Sequence, residues 1–249
     1  MDVTERLLDE GPQLVRESEE NGLSPRLFGG VGIRTLLGER FDPAFARPLH
    51  DIDLFVRKRD SRKLEALITA HGWEPEREFN ALNGARRLLF DDPGNAAQID
   101  VFVEVFEMCH ALPLSDGLRE PGLTLPGTEL LMTKLQIVHL NAKDREDCYA
   151  LLSGCTIGDT GPATIDPARI AHLTARNWGL QHSFELNLSR LASDLDARSL
   201  PAERNRVIAE GIAAISAAID AEPKSRGWRL RAKIGERKQW YEEPEEVRR

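Results

Sequence analysis

The run Asp51-Ile52-Asp53-Leu54-Phe55-Val56 is the most informative stretch of this chain. Side chains alternate between the two faces of a strand, so Ile52, Leu54 and Val56 should share one face and both aspartates the other. The two carboxylates would then stand about 7 Å apart and repel each other unless cations lie between them. Oxygen ligands of this kind bind Mg²⁺ or Mn²⁺, usually together with substrate phosphates. The run therefore predicts a strand with a metal site on its polar face, although such pairs of acids also occur in solvated turns and edge strands.

A second acidic strand is predicted in the run Gln98-Ile99-Asp100-Val101-Phe102-Val103-Glu104-Val105-Phe106. Asp100 and Glu104 alternate with apolar residues and should share one face. The preceding turn at 91–95 indicates a hairpin, which could bring Asp100 beside Asp51 and Asp53. Three carboxylates from two strands could hold two divalent ions.

A glycine pair precedes the first acidic strand. The run Leu27-Phe28-Gly29-Gly30-Val31-Gly32-Ile33-Arg34 predicts a short buried strand, a tight turn and a helix that ends near Gly38. Glycine lets the backbone approach a ligand closely, and the N–H groups at a helix start attract phosphate. A glycine pair alone indicates no more than a turn. The order of strand, glycine pair, helix and two acidic strands is much more specific.

With these runs the chain resembles the nucleotidyltransferase superfamily that includes DNA polymerase beta, and within it the minimal bacterial branch of AbiEii-like toxins and antibiotic nucleotidyltransferases. The resemblance rests on Gly29-Gly30, Asp51, Asp53 and Asp100, and it covers roughly residues 20 to 150. It implies that the glycine turn holds a triphosphate and that Asp51 and Asp53 bind two Mg²⁺ or Mn²⁺ ions. Asp100 would complete one metal site and help to activate an acceptor hydroxyl. The superfamily often has Gly-Ser in place of Gly-Gly, a departure that favours the AbiEii-like branch.

A second cluster of residues supports the same branch. Pro126-Gly127-Thr128-Glu129 predicts a helix start capped by Thr128, and Lys134 follows on that helix. The run 141–147 resembles the branch's Arg/Lys-Asp-x-x-Asp pattern. The resemblance implies that Lys134 contacts phosphate; a solvated lysine on an amphipathic helix is the alternative.

Other residues are weaker candidates for the same site. Arg34 is a further nucleotide-binding candidate. His50 precedes the first aspartate directly, and Glu104 and Asp147 are additional acids that could belong to the site. We interpret Asp144 as a charge complement to a helix dipole.

Composition narrows the class of protein. A chain of 249 residues has room for a catalytic domain and a smaller helical one. A formal net charge of −8 argues against a protein that coats nucleic acid. The three cysteines lack zinc spacing, which predicts a reduced cytoplasmic compartment. We find no signal peptide and no membrane-spanning segment, and so expect no membrane partner.

These patterns together predict an α/β (α+β) fold, with a nucleotidyltransferase-type mixed sheet flanked by helices and followed by a helical C-terminal domain. We assign the catalytic domain to 1–122 and the helical domain to 123–249, with 155–166 as a linker candidate. The tail at 224–241 interleaves basic and aromatic residues. It could bind RNA by charge and stacking, or it could be a packed terminal helix.

The predicted function is transfer of a nucleoside monophosphate from a nucleoside triphosphate to a hydroxyl, with release of pyrophosphate. By resemblance the acceptor could be a tRNA 3′ end, a protein side chain or a small antibiotic, and a toxin would have an antitoxin partner. Two other functions remain open. A metal-dependent glycosyltransferase also uses Asp-x-Asp, and a decayed transferase fold could serve as a non-catalytic nucleotide-binding or regulatory protein.

Overall fold

The structure, a computed structural model, describes residues 2–94 and 96–243. The helices are α1 (Val3–Glu20), α2 (Gly29–Leu37), α3 (Ser61–Ala70), α4 (Arg77–Asn83), α5 (Gly127–Leu135), α6 (Ala142–Gly154), α7 (Pro167–Thr174), α8 (Trp178–Leu195), α9 (Ala202–Ala221) and α10 (Arg226–Ala232). The strands are β1 (Arg26–Phe28), β2 (Asp51–Val56), β3 (Glu74–Pro75), β4 (Arg87–Asp91), β5 (Gln98–Val103), β6 (Phe106–Glu107), β7 (Ala111–Leu112), β8 (Thr156–Ile157) and β9 (Thr164–Ile165).

Within the described residues, one mixed sheet has the strand order β1-β2-β5-β4-β3. β2 and β5 run parallel, and the other neighbouring strands run antiparallel. The register pairs Asp51 with Gln98 and Asp53 with Asp100. β4 and β5 form the expected hairpin. The mixed sheet and the mainly helical second half confirm the predicted α/β (α+β) fold class.

The two faces of the sheet are covered by different parts of the chain. Ile52, Leu54 and Val56 lie on one face as predicted, in an apolar cluster with residues of α1 and α3. Phe55 and Phe102 lie on the other face, in a cluster that continues through α5 to α9. The C-terminal helices therefore pack on the same face of the sheet that carries the aspartates.

Several local expectations are modified by the structure. The helix α5 begins at Gly127 with Pro126 as N-cap, so Thr128 does not cap it. The Thr128 hydroxyl instead donates to the carbonyl of Thr164 at 3.1 Å. Segment 155–166 contains β8 and β9, which pair with each other.

The basic tail forms α10 and then packs on α8. Arg231 stacks on the Trp178 ring at 4.7 Å and donates to the carbonyls of Gly235 and Lys238. Trp240 donates to Ser183 at 3.1 Å. These contacts favour the interpretation of segment 224–241 as a packed terminal segment over an RNA-binding one. In the described part of the chain, no helix combines the length and apolar character needed to cross a membrane.

Candidate active site

The three predicted acids lie together on one face of the β2–β5 pair. Asp53 and Asp100 are register partners, so their Cα atoms stand about 4.8 Å apart. Asp51 lies two residues earlier on the same face of β2. Asp51 and Asp53 are half-buried, and Asp100 is buried. Burial raises the pKa of Asp53 well above its usual range, and the charges of Asp51 and Asp100 add to the rise, while Lys134 and Arg87 oppose it.

The first residue of α2 lies directly against Asp53. Gly29 has φ +61°, and a Cβ at this position would stand 1.7 Å from Asp53 Oδ2. Only glycine allows both the backbone conformation and this close approach. The unpaired N–H groups of a helix start carry a partial positive charge. Helix α2 therefore begins directly beside the acids, and a helix start of this kind favours anions.

Lys134 is the central cation of the site. Its side chain is 13% exposed, and Nζ lies 3.0 Å from Asp144 and 2.9 Å from Asp147. The alternative of a solvated lysine is therefore wrong. Burial opposes the charge on Lys134, but Asp147 and Asp144 outweigh it and raise the pKa of the ammonium group. Asp144 lies in the first turn of α6, as a dipole complement would, and it is also an ion-pair partner.

Asp147 joins Lys134 to a residue that the sequence did not indicate. Arg47 donates two hydrogen bonds to Asp147, Nε to Oδ1 at 2.9 Å and Nη2 to Oδ2 at 2.7 Å. Burial alone would raise the pKa of Asp147, but Lys134 and Arg47 lower it below its ordinary value. The carboxylate of Asp147 is thus charged and held between two cations.

These residues surround a cavity of about 760 Å³. It is lined by Gly30, Arg47, His50, Asp51, Asp53, Lys134, Asn141, Ala142, Lys143 and Asp144. The start of α6 belongs to this wall, with Asn141 as N-cap accepting from the Asp144 amide. The cavity therefore has carboxylates on one strand opposite cations and two helix starts. A polyanion and bound cations could share such a space.

Arg87 is a second functional candidate that sequence reasoning missed. It donates to both oxygens of Asp100, at 2.8 and 2.5 Å. Its guanidinium also lies 4.8 Å from the centroid of the Phe102 ring. No alternation singles out Arg87, because Leu88, Leu89 and Phe90 follow it as three consecutive buried apolar residues. Its pairing with Asp100 depends on a strand register that the sequence alone does not show.

Two predicted residues are not among those that line this cavity. Arg34 borders a separate groove, where its guanidinium stands 4.7 Å from the centroid of the Phe41 ring. Glu104 lies beyond the end of β5 with φ +67°, and its carboxylate accepts from the Lys58 amide at 2.9 Å. The expectation that Glu104 shares the strand face of Asp100 is therefore wrong, because the backbone turns before it.

The donor set can be tested against a divalent cation. Among residues 2–94 and 96–243, no three Asp, Glu, His or Cys side chains form a ready ligand group. Asp51 and Asp53 nevertheless have the donor chemistry of a hard-cation site. Burial first, and repulsion from Asp51 and Asp100 second, raise the pKa of Asp53, and a cation would relieve that repulsion. Asp100 could join them after exchanging its bonds to Arg87. The two acids of β2 therefore fit the metal that the resemblance implies.

Comparisons with known proteins find similarity to a kinase and to an antibiotic-resistance factor. No family model matches the chain. A curated shikimate kinase from Syntrophus aciditrophicus (strain SB) is 30% identical over 87 residues, which cover 32% of this chain and 44% of the kinase. The match thus spans less than half of that relative. The solution structure of the antibiotic-resistance factor ANT(2'')-Ia aligns with a TM-score of 0.39 and 14% identity, over 88% of this chain and 97% of that one.

Proposed function

We propose that this chain is a metal-dependent nucleotidyltransferase, which moves a nucleoside monophosphate from a nucleoside triphosphate to a hydroxyl and releases pyrophosphate. One observation carries the proposal. The start of α2 lies directly against Asp53. Both β2 acids, Asp51 and Asp53, line a cavity that is also lined by the cations Lys134 and Arg47. This places an anion-binding turn beside paired carboxylates, as a phosphate bound through divalent cations requires.

Each element of the site has a defined role in this proposal. The amides at Gly29 and Gly30 hold phosphate oxygens, and Lys134 contributes a positive charge. Asp51 and Asp53 would hold two Mg²⁺ or Mn²⁺ ions, with Asp100 completing one of the two sites. The ions would neutralise phosphate charge and stabilise the attacking and leaving oxygens. Asp100 orients the acceptor hydroxyl and accepts its proton. Arg87, which engages Asp100 in this structure, must release that carboxylate first.

The charges of the cavity make nucleotide binding depend on metal. Asp51, Asp53 and Asp144 all line the cavity, and a triphosphate entering it would meet their negative charges at short range. Lys134 and Arg47 are already partly neutralised by Asp147. Tight binding of a nucleoside triphosphate therefore needs divalent cations, and EDTA should abolish it.

The acceptor is left to experiment. The AbiEii-like resemblance implies a toxin that acts on tRNA and is neutralised by an antitoxin partner, whereas a protein side chain or a small antibiotic would also supply the hydroxyl. We propose incubating the protein with each α-³²P-labelled nucleoside triphosphate, Mg²⁺ or Mn²⁺, and a cell extract then fractionated into RNA, protein and small molecules. The fraction that carries the label identifies the acceptor class.

Variants of the acids decide whether the label transfer comes from this site. Asp51→Asn and Asp53→Asn should each abolish transfer with the fold retained, because Ile52, Leu54 and Val56 stay buried on the opposite face. Near-normal turnover by either variant would refute the two-metal proposal. Transfer of label only from sugar nucleotides would indicate a glycosyltransferase, and no nucleotide binding with Mg²⁺ would indicate a decayed fold.

Asp100 can be separated from the two acids of β2. Asp100→Ala should reduce turnover by orders of magnitude but weaken nucleotide binding much less, since its work is on the acceptor oxygen. Glu104→Ala is the matched control, because Glu104 lies beyond the strand. If the Asp51, Asp53 and Asp100 variants lose nucleotide binding equally, Asp100 helps to bind the nucleotide as the other two acids do, and its separate role on the acceptor is refuted.

A further inference from the structure

Arg47 connects separate elements at the wall of the cavity. It belongs to the loop that precedes β2, and its side chain is 14% exposed. Its Nε and Nη2 atoms donate to the two oxygens of Asp147 on α6, and Nη1 donates to the carbonyl of Pro48. A bidentate pair of this kind fixes the orientation of the carboxylate as well as its distance.

Asp147 is shared between two cations. The Oδ2 atom that accepts from Arg47 also lies 2.9 Å from Lys134 Nζ, and Asp144 lies 3.0 Å from the same ammonium. Without Arg47, Asp144 and Asp147 would together neutralise the Lys134 ammonium and weaken its attraction for a phosphate. A second cation on Asp147 divides the charge of that carboxylate. Arg47 thereby leaves Lys134 oriented and able to attract an anion in the cavity.

Arg47 also lies against the start of α2. A Cβ at Gly30 would stand 2.7 Å from Arg47 Nη2, so the guanidinium packs on the glycine backbone. A single side chain thus links the helix that carries Asp147 with the turn proposed to hold phosphate. If Arg47 were lost, Asp147 and the Gly30 turn could move independently of each other.

The same helix offers a matched comparison. Arg198 pairs with Glu146 at 2.5 Å, one residue before Asp147, and lies 4.5 Å from the centroid of the Tyr149 ring. The residues that line the cavity do not include Arg198. Both arginines pair with acids of α6, but of the two only Arg47 lines the cavity proposed to bind the nucleotide.

We propose that Arg47 is a positioning residue for nucleotide binding, which holds Asp147 so that Lys134 and the Gly30 turn form one site for the phosphate groups. This inference rests on the proposed function of the same cavity. Arg47→Lys keeps the charge but cannot reproduce the planar two-point contact with Asp147.

The test compares Arg47→Gln and Arg47→Lys with Arg198→Gln. Calorimetric titration with each of the four nucleoside triphosphates and Mg²⁺ gives Kd, steady-state transfer gives KM and kcat, and thermal unfolding gives the melting temperature. Residues that orient the direct ligands of a metal typically contribute about 10- to 100-fold, and we take the same scale for a residue that orients phosphate-binding groups. Arg47→Gln should therefore raise Kd and KM at least about 10-fold, with kcat at saturating nucleotide within about threefold of wild type. Arg47→Lys should recover part of the affinity.

Asp147→Asn keeps a side-chain acceptor and should weaken binding similarly, with little further loss when combined with Arg47→Gln, because both changes break one unit. Arg198→Gln should lower the melting temperature while leaving Kd unchanged. An unchanged Kd in Arg47→Gln, or an equal rise in Arg198→Gln, would overturn the positioning role alone. Failure of the wild type to bind any nucleoside triphosphate would instead overturn the proposed function and, with it, this inference.

Discussion

Replacing Gly29 by alanine should disable the candidate site through a single methyl group. The new Cβ would stand 1.7 Å from Asp53 Oδ2, whereas real Cβ contacts are essentially never shorter than 3.0 Å. The Asp53 carboxylate or the start of α2 must therefore move by about 1.3 Å, the difference between those two distances. Gly29 also has φ +61°, a conformation that alanine adopts only at a cost.

The expected magnitude has two parts. The left-handed backbone costs about 1–2 kcal/mol for alanine, and relief of the overlap adds about 1–3 kcal/mol. In a chain of this size each kcal/mol lowers the melting temperature by about 2–4 °C. We therefore expect a fall of at least about 4 °C. A displacement of about 1 Å at a group that positions the reaction reduces turnover by about 100-fold.

Gly38→Ala is the matched control for this change. Gly38 follows the same helix with φ +51°, and a Cβ added there would meet nothing within 4 Å. It should show only the backbone cost and normal nucleotide transfer. Thermal unfolding, Mg²⁺-dependent nucleotide titration and label transfer are measured on both variants. If Gly29→Ala matches Gly38→Ala in all three, the close approach of α2 to Asp53 is refuted.

Further predictions concern burial and packing. Because the folded protein raises the pKa of Asp53 above that of the unfolded chain, the metal-free protein should lose stability as pH rises from about 4 through the folded pKa. Asp53→Asn should lessen this loss, and identical unfolding curves across pH would contradict it. Trp240→Ala should lower the free energy of unfolding by about 2 kcal/mol, since the half-buried indole donates to Ser183. Replacing the exposed Arg229 and Lys233 by Gln should change neither the stability of the protein nor the salt dependence of RNA binding. A flatter salt dependence in this variant would indicate that the tail binds RNA.

Local patterns were enough to predict the central strands. The alternation at 51–56 and the acid at position 100 are properties of consecutive residues, and the structure has both strands. The helix after the glycine pair ends at Leu37, with Gly38 as C-cap, close to the predicted end. Alternation failed at Glu104, because a pattern of residue types does not show where the backbone leaves the extended region.

The charged partners could not be predicted in the same way. Arg47 and Asp147 are 100 residues apart in sequence, and they meet only because α6 packs beside the loop before β2. Arg87 meets Asp100 through the register of β4 on β5. Neither pair has a periodic signal, since an ion pair between distant segments leaves each segment's own pattern unchanged.

Short-range patterns were sufficient to predict the fold class, the acidic face of β2 and the glycine start of α2, because hydrophobic alternation and glycine requirements act over a few neighbouring residues. The packing of distant segments was needed to show that Lys134 is buried between Asp144 and Asp147, that Arg47 also binds Asp147, and that Arg87 pairs with Asp100. Those contacts depend on distances of about 3 Å between segments far apart in the chain. Such distances are set by how the helices pack on the sheet, which no short stretch of sequence encodes.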